Sequence, residues 1–286
     1  MLEQSLSTTL APETVAELRR RCREQRKLII NTTAQAGCGH TGGSLSAVEI
    51  MVALYFRVMS IDPQNPRRPD RDRFILSKGH ATPAYYTILV MRGYFSAETL
   101  DLYDQINSPL QGHPCMNKTV GVDMSTGSLG QGLSAGIGLA LGRDRRNMNF
   151  TVYVLTGDGE LQEGQIWEAA MYAGFHQIKG LVAIIDYNRV QLAGKVPETL
   201  DLEPLAEKWK AFRWQTLECD GHDVAQVVET LERARAMSWE RGPVVVIAHT
   251  VKGKGVSFME HKFQWHGRAP NAEEKEKALA EIEQES

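Results

Sequence analysis

The chain has 286 residues, 42% of them hydrophobic and 23% charged, with a formal net charge of −3. A chain of that size buries roughly 75% of its unfolded surface, so a core needs neither disulfides nor a structural metal. The near-neutral charge gives no electrostatic reason to expect nucleic acid or an anionic membrane as partner. The four cysteines include no C-x-x-C pair, no apolar run approaches the roughly 18 residues of a membrane span, and no leader peptide is recognisable; the expected compartment is the reduced cytoplasm.

Residues 12 to 35 read as a long helix, with Pro12 suited to its first turn and Gly37 and Gly39 stopping it. Its basic run from Arg19 to Lys27, interrupted by Glu24, reads as a solvated face. A second helix is expected from about Leu45 to Met59, ended by SIDPQNPRRPD. RFILS, from Arg73 to Ser77, reads as a short strand, and TVYVLTGD, LVAIIDYN and PVVVIAHT as further strands. These runs are continuously apolar rather than alternating, as expected of strands buried on both faces of a parallel sheet. The helical stretches LGQGLSAGIGLALGRD, GQIWEAAMYAGFH and VAQVVETLERARAMSWE lie between them. The alternation implies an α/β fold, a doubly wound, mainly parallel sheet with helices on both faces. Residues 1–286 read as a single domain, with 271–286 a charged helical tail that Asn271 could cap with Glu274.

Ligands of such sheets bind at the carboxyl ends of the strands. Gly157-Asp158-Gly159, Asn188 and the stretch from Thr250 to Gly255 all fall just past such ends. Asp158 is either a turn residue or a ligand, and Asn188, thirty residues on, either satisfies its own backbone or shares an ion with Asp158. A carboxylate and a carboxamide are hard donors, suited to magnesium or calcium rather than zinc. The carbonyl of Val190 could add a third oxygen, with diphosphate oxygens and water completing the shell. Gly157 and Gly159 would let phosphate approach the backbone closely.

Gly-Asp-Gly followed after about thirty residues by Asn resembles the thiamine diphosphate-binding motif. The fuller text, GDGELQEGQIWEA and then DYNR, resembles the transketolase family. That resemblance implies that Asp158, Asn188 and the Val190 carbonyl hold the magnesium ion that anchors the diphosphate. Glu163 matches an acidic position that lies in the family at the subunit interface, near the cofactor.

Eight histidines occur, and four follow a glycine (His40, His80, His113 and His222), where chance would give about 0.7 such pairs. AGCGHTGGSLSAVE, LSKGHATPAYY, QGHP and TVKGKGVSFMEHKFQWHGRAP all resemble transketolase segments. The resemblance implies that His40, His113 and His266 face the substrate and the reacting carbon. His80, His266 and Lys252 would contact the diphosphate region. His176, His222 and His249 read as structural. In STGSLGQGLSAGIGLALG the glycines and alanines recur at helical spacing, which either serves close helix packing or, by resemblance, places Ser128 and Leu129 against the cofactor's aminopyrimidine.

The resemblance runs from about residue 12 to 270 and covers only the first part of a conventional transketolase. It implies a partner chain carrying the pyrimidine-binding domain, so that the protein is expected to be the amino-terminal subunit of a split transketolase, self-associating into a heterotetramer. Such an enzyme moves a two-carbon ketol unit from a ketose phosphate to an aldose phosphate. The alternatives are a subunit of a related synthase that decarboxylates a 2-oxo acid, as in deoxyxylulose phosphate synthases, and a non-catalytic partner subunit. The sugar itself is left open, a sulfonated or branched one included.

Overall fold

The computed structural model describes residues 10–284; the outermost residues of the single expected domain, including the end of the 271–286 tail, lie outside the described residues. Five parallel strands form the sheet: β1 (Arg73–Leu76), β2 (Val152–Gly157), β3 (Leu181–Tyr187), β6 (Gln215–Asp220) and β7 (Val244–His249), in the order 1-2-3-7-6. A two-stranded hairpin, β4 (Val190–Gln191) and β5 (Gly194–Lys195), follows β3 directly. The helices are α1 (Pro12–Ala36), α2 (Thr41–Leu45), α3 (Val48–Ala53), α4 (Thr82–Met91), α5 (Gln131–Arg145), α6 (Gly164–Phe175), α7 (Val196–Thr199), α8 (Leu205–Ala211), α9 (Val224–Arg241) and α10 (Ala272–Gln284).

The continuously apolar strands feed two cores, because successive side chains point to opposite faces. Tyr153, Leu155, Val182, Ile184, Val244 and Val246 face a core completed by α1, α3, α4, α9 and α10. Val152, Val154, Ala183, Ile185, Val245 and Ile247 face the other, under α5, α6 and α8. This is the doubly wound α/β layering expected from the pattern. The small residues of α5 serve close packing: a Cβ on Gly136 would stand 2.6 Å from the Val154 side chain.

Three expectations need correction. The helix expected over 45–59 is broken into α2, α3 and a π-turn at Leu54–Val58. The break turns the Ser46 hydroxyl toward Asp186, 2.6 Å away. The basic run on α1 is not wholly a solvated face: Arg26 is 2% exposed and pairs with the buried Glu49 at 2.5 Å. Strand β6 and helix α4 were not anticipated. The capping of α10 holds: the Glu274 N–H donates to Asn271 Oδ1 and the Asn271 N–H to Glu274, each at 2.9 Å.

Candidate active site

The register of the sheet puts Gly157 opposite Asp186, so the loops after β2 and β3 leave the sheet side by side. Asp158 is 2% exposed. Its Oδ1 accepts the Gly159 N–H at 2.7 Å, and its Oδ2 accepts the Arg189 N–H across the gap between the loops. Burial, and then the negative charge of Asp186, push its carboxyl up to about 7. A buried acid so raised lacks a full counter-charge. Gly159 is required by close approach, since a Cβ there would meet that of Gln191 at 2.9 Å.

Asn188 combines both readings left open by the sequence. Its Oδ1 accepts the Val190 N–H at 3.1 Å, a local turn bond, while its Nδ2 donates to Asp186 Oδ2 at 3.0 Å. Asp186, being acceptor-only when ionised, fixes the amide so that its nitrogen faces Asp186 and its oxygen the Val190 N–H. It also accepts from Lys78, Ser46 and Thr250. Burial alone would raise the Asp186 carboxyl, but the Lys78 ammonium and these donors hold it below the usual range.

Lys252, buried on the loop after β7, brings its ammonium 3.1 Å from the Val190 carbonyl and 3.1 Å from His266 Nδ1. Desolvation and the nearby Lys78 lower it to about 8. A cation thus already rests on the carbonyl named from the sequence, close to the under-compensated Asp158. One carboxylate, one amide oxygen and one carbonyl could hold a hard divalent ion with room for further oxygens. Among the described residues no cluster of three or more His, Cys, Asp or Glu offers an alternative metal site.

Three imidazoles pack together beside Lys252. The ring centroids of His40 and His80 are 4.9 Å apart, those of His80 and His266 4.9 Å, and those of His40 and His266 5.3 Å. Desolvation, reinforced by the surrounding cations, lowers His40 to about 4 and His266 to about 3, and drives His80 well down. All three are therefore neutral at pH 7, each with one N–H and one lone pair. His113 is exposed and lies over Gly127, its Cδ2 3.0 Å from where a Cβ would stand. It lines with His40 a cavity of about 480 Å³.

The remaining candidate residues lie at the rim. Ser128 is exposed and Leu129 half-buried on the loop before α5. Glu163 is exposed at the start of α6, its Cβ against Gly130. That loop is anchored by a residue the sequence did not single out. The buried Glu160 accepts from Ser77 Oγ at 2.5 Å, from the Gly130 N–H at 2.9 Å and from the Gly157 N–H at 3.1 Å, tying together the ends of β1 and β2 and the start of α5. Asp186, Lys78 and Ser46 were likewise missed; a lone carboxylate in the apolar run IIDYN was the available signal.

The structure superposes on the transketolase of Leishmania mexicana with a TM-score of 0.88 at 27% identity, covering 93% of this chain and 41% of that one. On a Pichia stipitis transketolase in complex with sedoheptulose-7-phosphate the TM-score is 0.87 at 28% identity, over 93% of this chain and 40% of that one. A 6-deoxy-6-sulfo-D-fructose transketolase subunit from Clostridium sp. (strain MSTE9) is 46% identical over 91% of this chain and 94% of its own length. An apulose-4-phosphate transketolase subunit from Actinobacillus succinogenes is 44% identical over 91% and 94%. Human transketolase is 39% identical over 88% of this chain, which spans 40% of the human protein. The family model for the thiamine diphosphate binding domain of transketolase matches residues 19–283. With that match laid over a doubly wound sheet that gathers Asp158, Asn188 and three neutral imidazoles at its carboxyl edge, the chain belongs to the transketolase family.

Proposed function

We propose that the chain catalyses transfer of a two-carbon ketol unit between sugar phosphates, using thiamine diphosphate and magnesium or calcium, together with a partner chain that carries the pyrimidine-binding domain. The observation that carries this reading is the buried, under-compensated Asp158 carboxylate beside the Asn188 amide and the Val190 carbonyl, with a lysine ammonium already on that carbonyl. Asp158, Asn188 and Val190 would hold the metal. His80, Gly157, Gly159, Lys252 and His266 would receive the diphosphate, and Ser128 and Leu129 the aminopyrimidine side.

When bound, thiamine diphosphate supplies the nucleophilic carbon for attack on a ketose carbonyl. The chain's own part is proton handling and orientation. His40, His113 and His266 would face the substrate, and a neutral imidazole can donate to a developing alkoxide oxygen and recover a proton from a neighbouring hydroxyl. Exposed Met171, Tyr172 and Phe175 in the C-terminal half of α6 support association through that side. One subunit relative is named for 6-deoxy-6-sulfo-D-fructose and the other for apulose-4-phosphate, so a sulfonate and a phosphate both occur in the sugars for which these relatives are named.

Ketol transfer by the assembled two-chain enzyme tests the reading. Asp158→Ala is expected to lower kcat/KM at least ~100-fold and to weaken metal-dependent cofactor binding by ~10–100-fold. An assembly that keeps full activity without that carboxylate would favour the non-catalytic subunit. Release of carbon dioxide from pyruvate, with no ketose turnover, would favour the decarboxylating synthase.

A further inference from the structure

The cavity shared by His40 and His113 carries one carboxylate, Asp104, and among the described residues no lysine or arginine lines it. Asp104 is fixed in place by its surroundings. Its backbone sits in the left-handed region at φ 55°, which aspartate tolerates better than most residues. Its N–H donates to the Leu110 carbonyl at 2.8 Å, closing the loop. Its Oδ1 accepts the Gly112 N–H at 3.0 Å, and its Oδ2 accepts the Cys38 thiol at 3.3 Å. The carboxylate is exposed, and each oxygen retains a lone pair for a further donor. His40, neutral at pH 7, does not offset its charge.

We infer that Asp104 is a specificity-determining residue for the donor substrate, accepting hydrogen bonds from sugar hydroxyls and repelling a donor whose own carboxylate would enter the cavity. The inference rests on the ketol-transfer reading and deepens it. A ketose presents hydroxyls on both sides of its carbonyl. A 2-oxo acid places an anion directly beside its carbonyl, where among the described residues no lysine or arginine of this wall can receive it. The anionic end of a sugar phosphate is, by the same argument, directed away from this wall.

Two donors that deliver the same two-carbon unit separate charge from shape. Erythrulose is neutral and releases glycolaldehyde as its C2–C3 bond breaks; hydroxypyruvate is anionic and releases carbon dioxide. Asp104→Asn retains a side chain that tolerates the left-handed backbone and an acceptor for the Gly112 N–H, but removes the charge. In the assembled enzyme with thiamine diphosphate and magnesium, kcat/KM for hydroxypyruvate is expected to rise about fivefold in the variant, the effect of one unit charge at about 4 Å through water. That for erythrulose should fall. In the unsubstituted enzyme the KM for hydroxypyruvate should drop as salt is raised from about 0.01 M to about 0.15 M, and in the variant it should stay flat. Parallel changes for both donors, or a salt response that the variant keeps, overturns the inference while leaving ketol transfer standing. An unsubstituted assembly inactive with both donors overturns the functional reading and the inference with it.

Discussion

Asp186 decides the geometry of the site without facing it. It carries the Lys78 ion pair and receives Ser46, Thr250 and Asn188, all inside the fold. Replacing one member of a buried pair strands the other charge, so Asp186→Asn is expected to cost ~3–5 kcal/mol. The measurement is the urea midpoint, and a variant that unfolds at the parent's concentration contradicts that structural role. The imidazoles supply a second expectation. His40 and His266, folded, titrate near 4 and near 3, below the 6.5 of an unperturbed histidine. The unfolded chain therefore takes up protons first, and the stability that the neutral rings contribute is fully present above pH 6.5 and lost as the pH falls toward 4 for His40 and toward 3 for His266. Thermal melts should fall over that window, by roughly 2–4 °C for each kcal/mol lost. His266→Asn should flatten the slope, and an equally steep slope in the variant would remove the assignment.

Strands β2, β3 and β7 were legible because both faces of each are buried, which forces a continuous apolar run. Strand β6 is an edge strand that exposes Glu218 and Asp220, so its run is short and mixed. Helix α4 has the opposite problem: it is apolar nearly all round, and a buried helix segment cannot be told from a strand by periodicity alone. The broken second helix depends on Ser46 reaching Asp186, 140 residues further along the chain, which no local pattern encodes. Asp158 and Asn188 were readable from glycine punctuation and spacing. Asp186 and Glu160 act through sheet register and became readable only once β1, β2 and β3 were aligned. The reciprocal Asn271–Glu274 cap is a local feature with a local cost. Asn271→Ala should lose ~1 kcal/mol, about 2–4 °C, with calorimetry as the check. No shift would mean that α10 is held by its tertiary contacts, with α1 and with Ser257, rather than by its cap.

At the scale of the whole molecule, the two cores lie on opposite faces of one sheet, and the candidate site occupies the edge where the strands stop. The described residues bring the proposed metal donors and the imidazoles together there, and the cavity wall opens outward beside His113 and Asp104. The purified chain by itself is expected to show no ketol transfer, and a chain bearing the pyrimidine-binding domain to restore it. Full turnover by the isolated chain, followed by product chromatography, would refute the two-chain arrangement.

The ammonium of Lys252 on the Val190 carbonyl bears on the metal site proposed there. Many small metalloproteins are unravelled by chelators because metal binding supplies their folding free energy. For the metal proposed at Asp158, Asn188 and Val190, this tethered side chain would act as a placeholder, partly offsetting the Asp158 charge before the divalent guest arrives. Circular dichroism after exhaustive treatment with EDTA should match that of the magnesium-saturated chain. Lys252→Met, lacking the placeholder, should show the larger rise in melting temperature when magnesium is added.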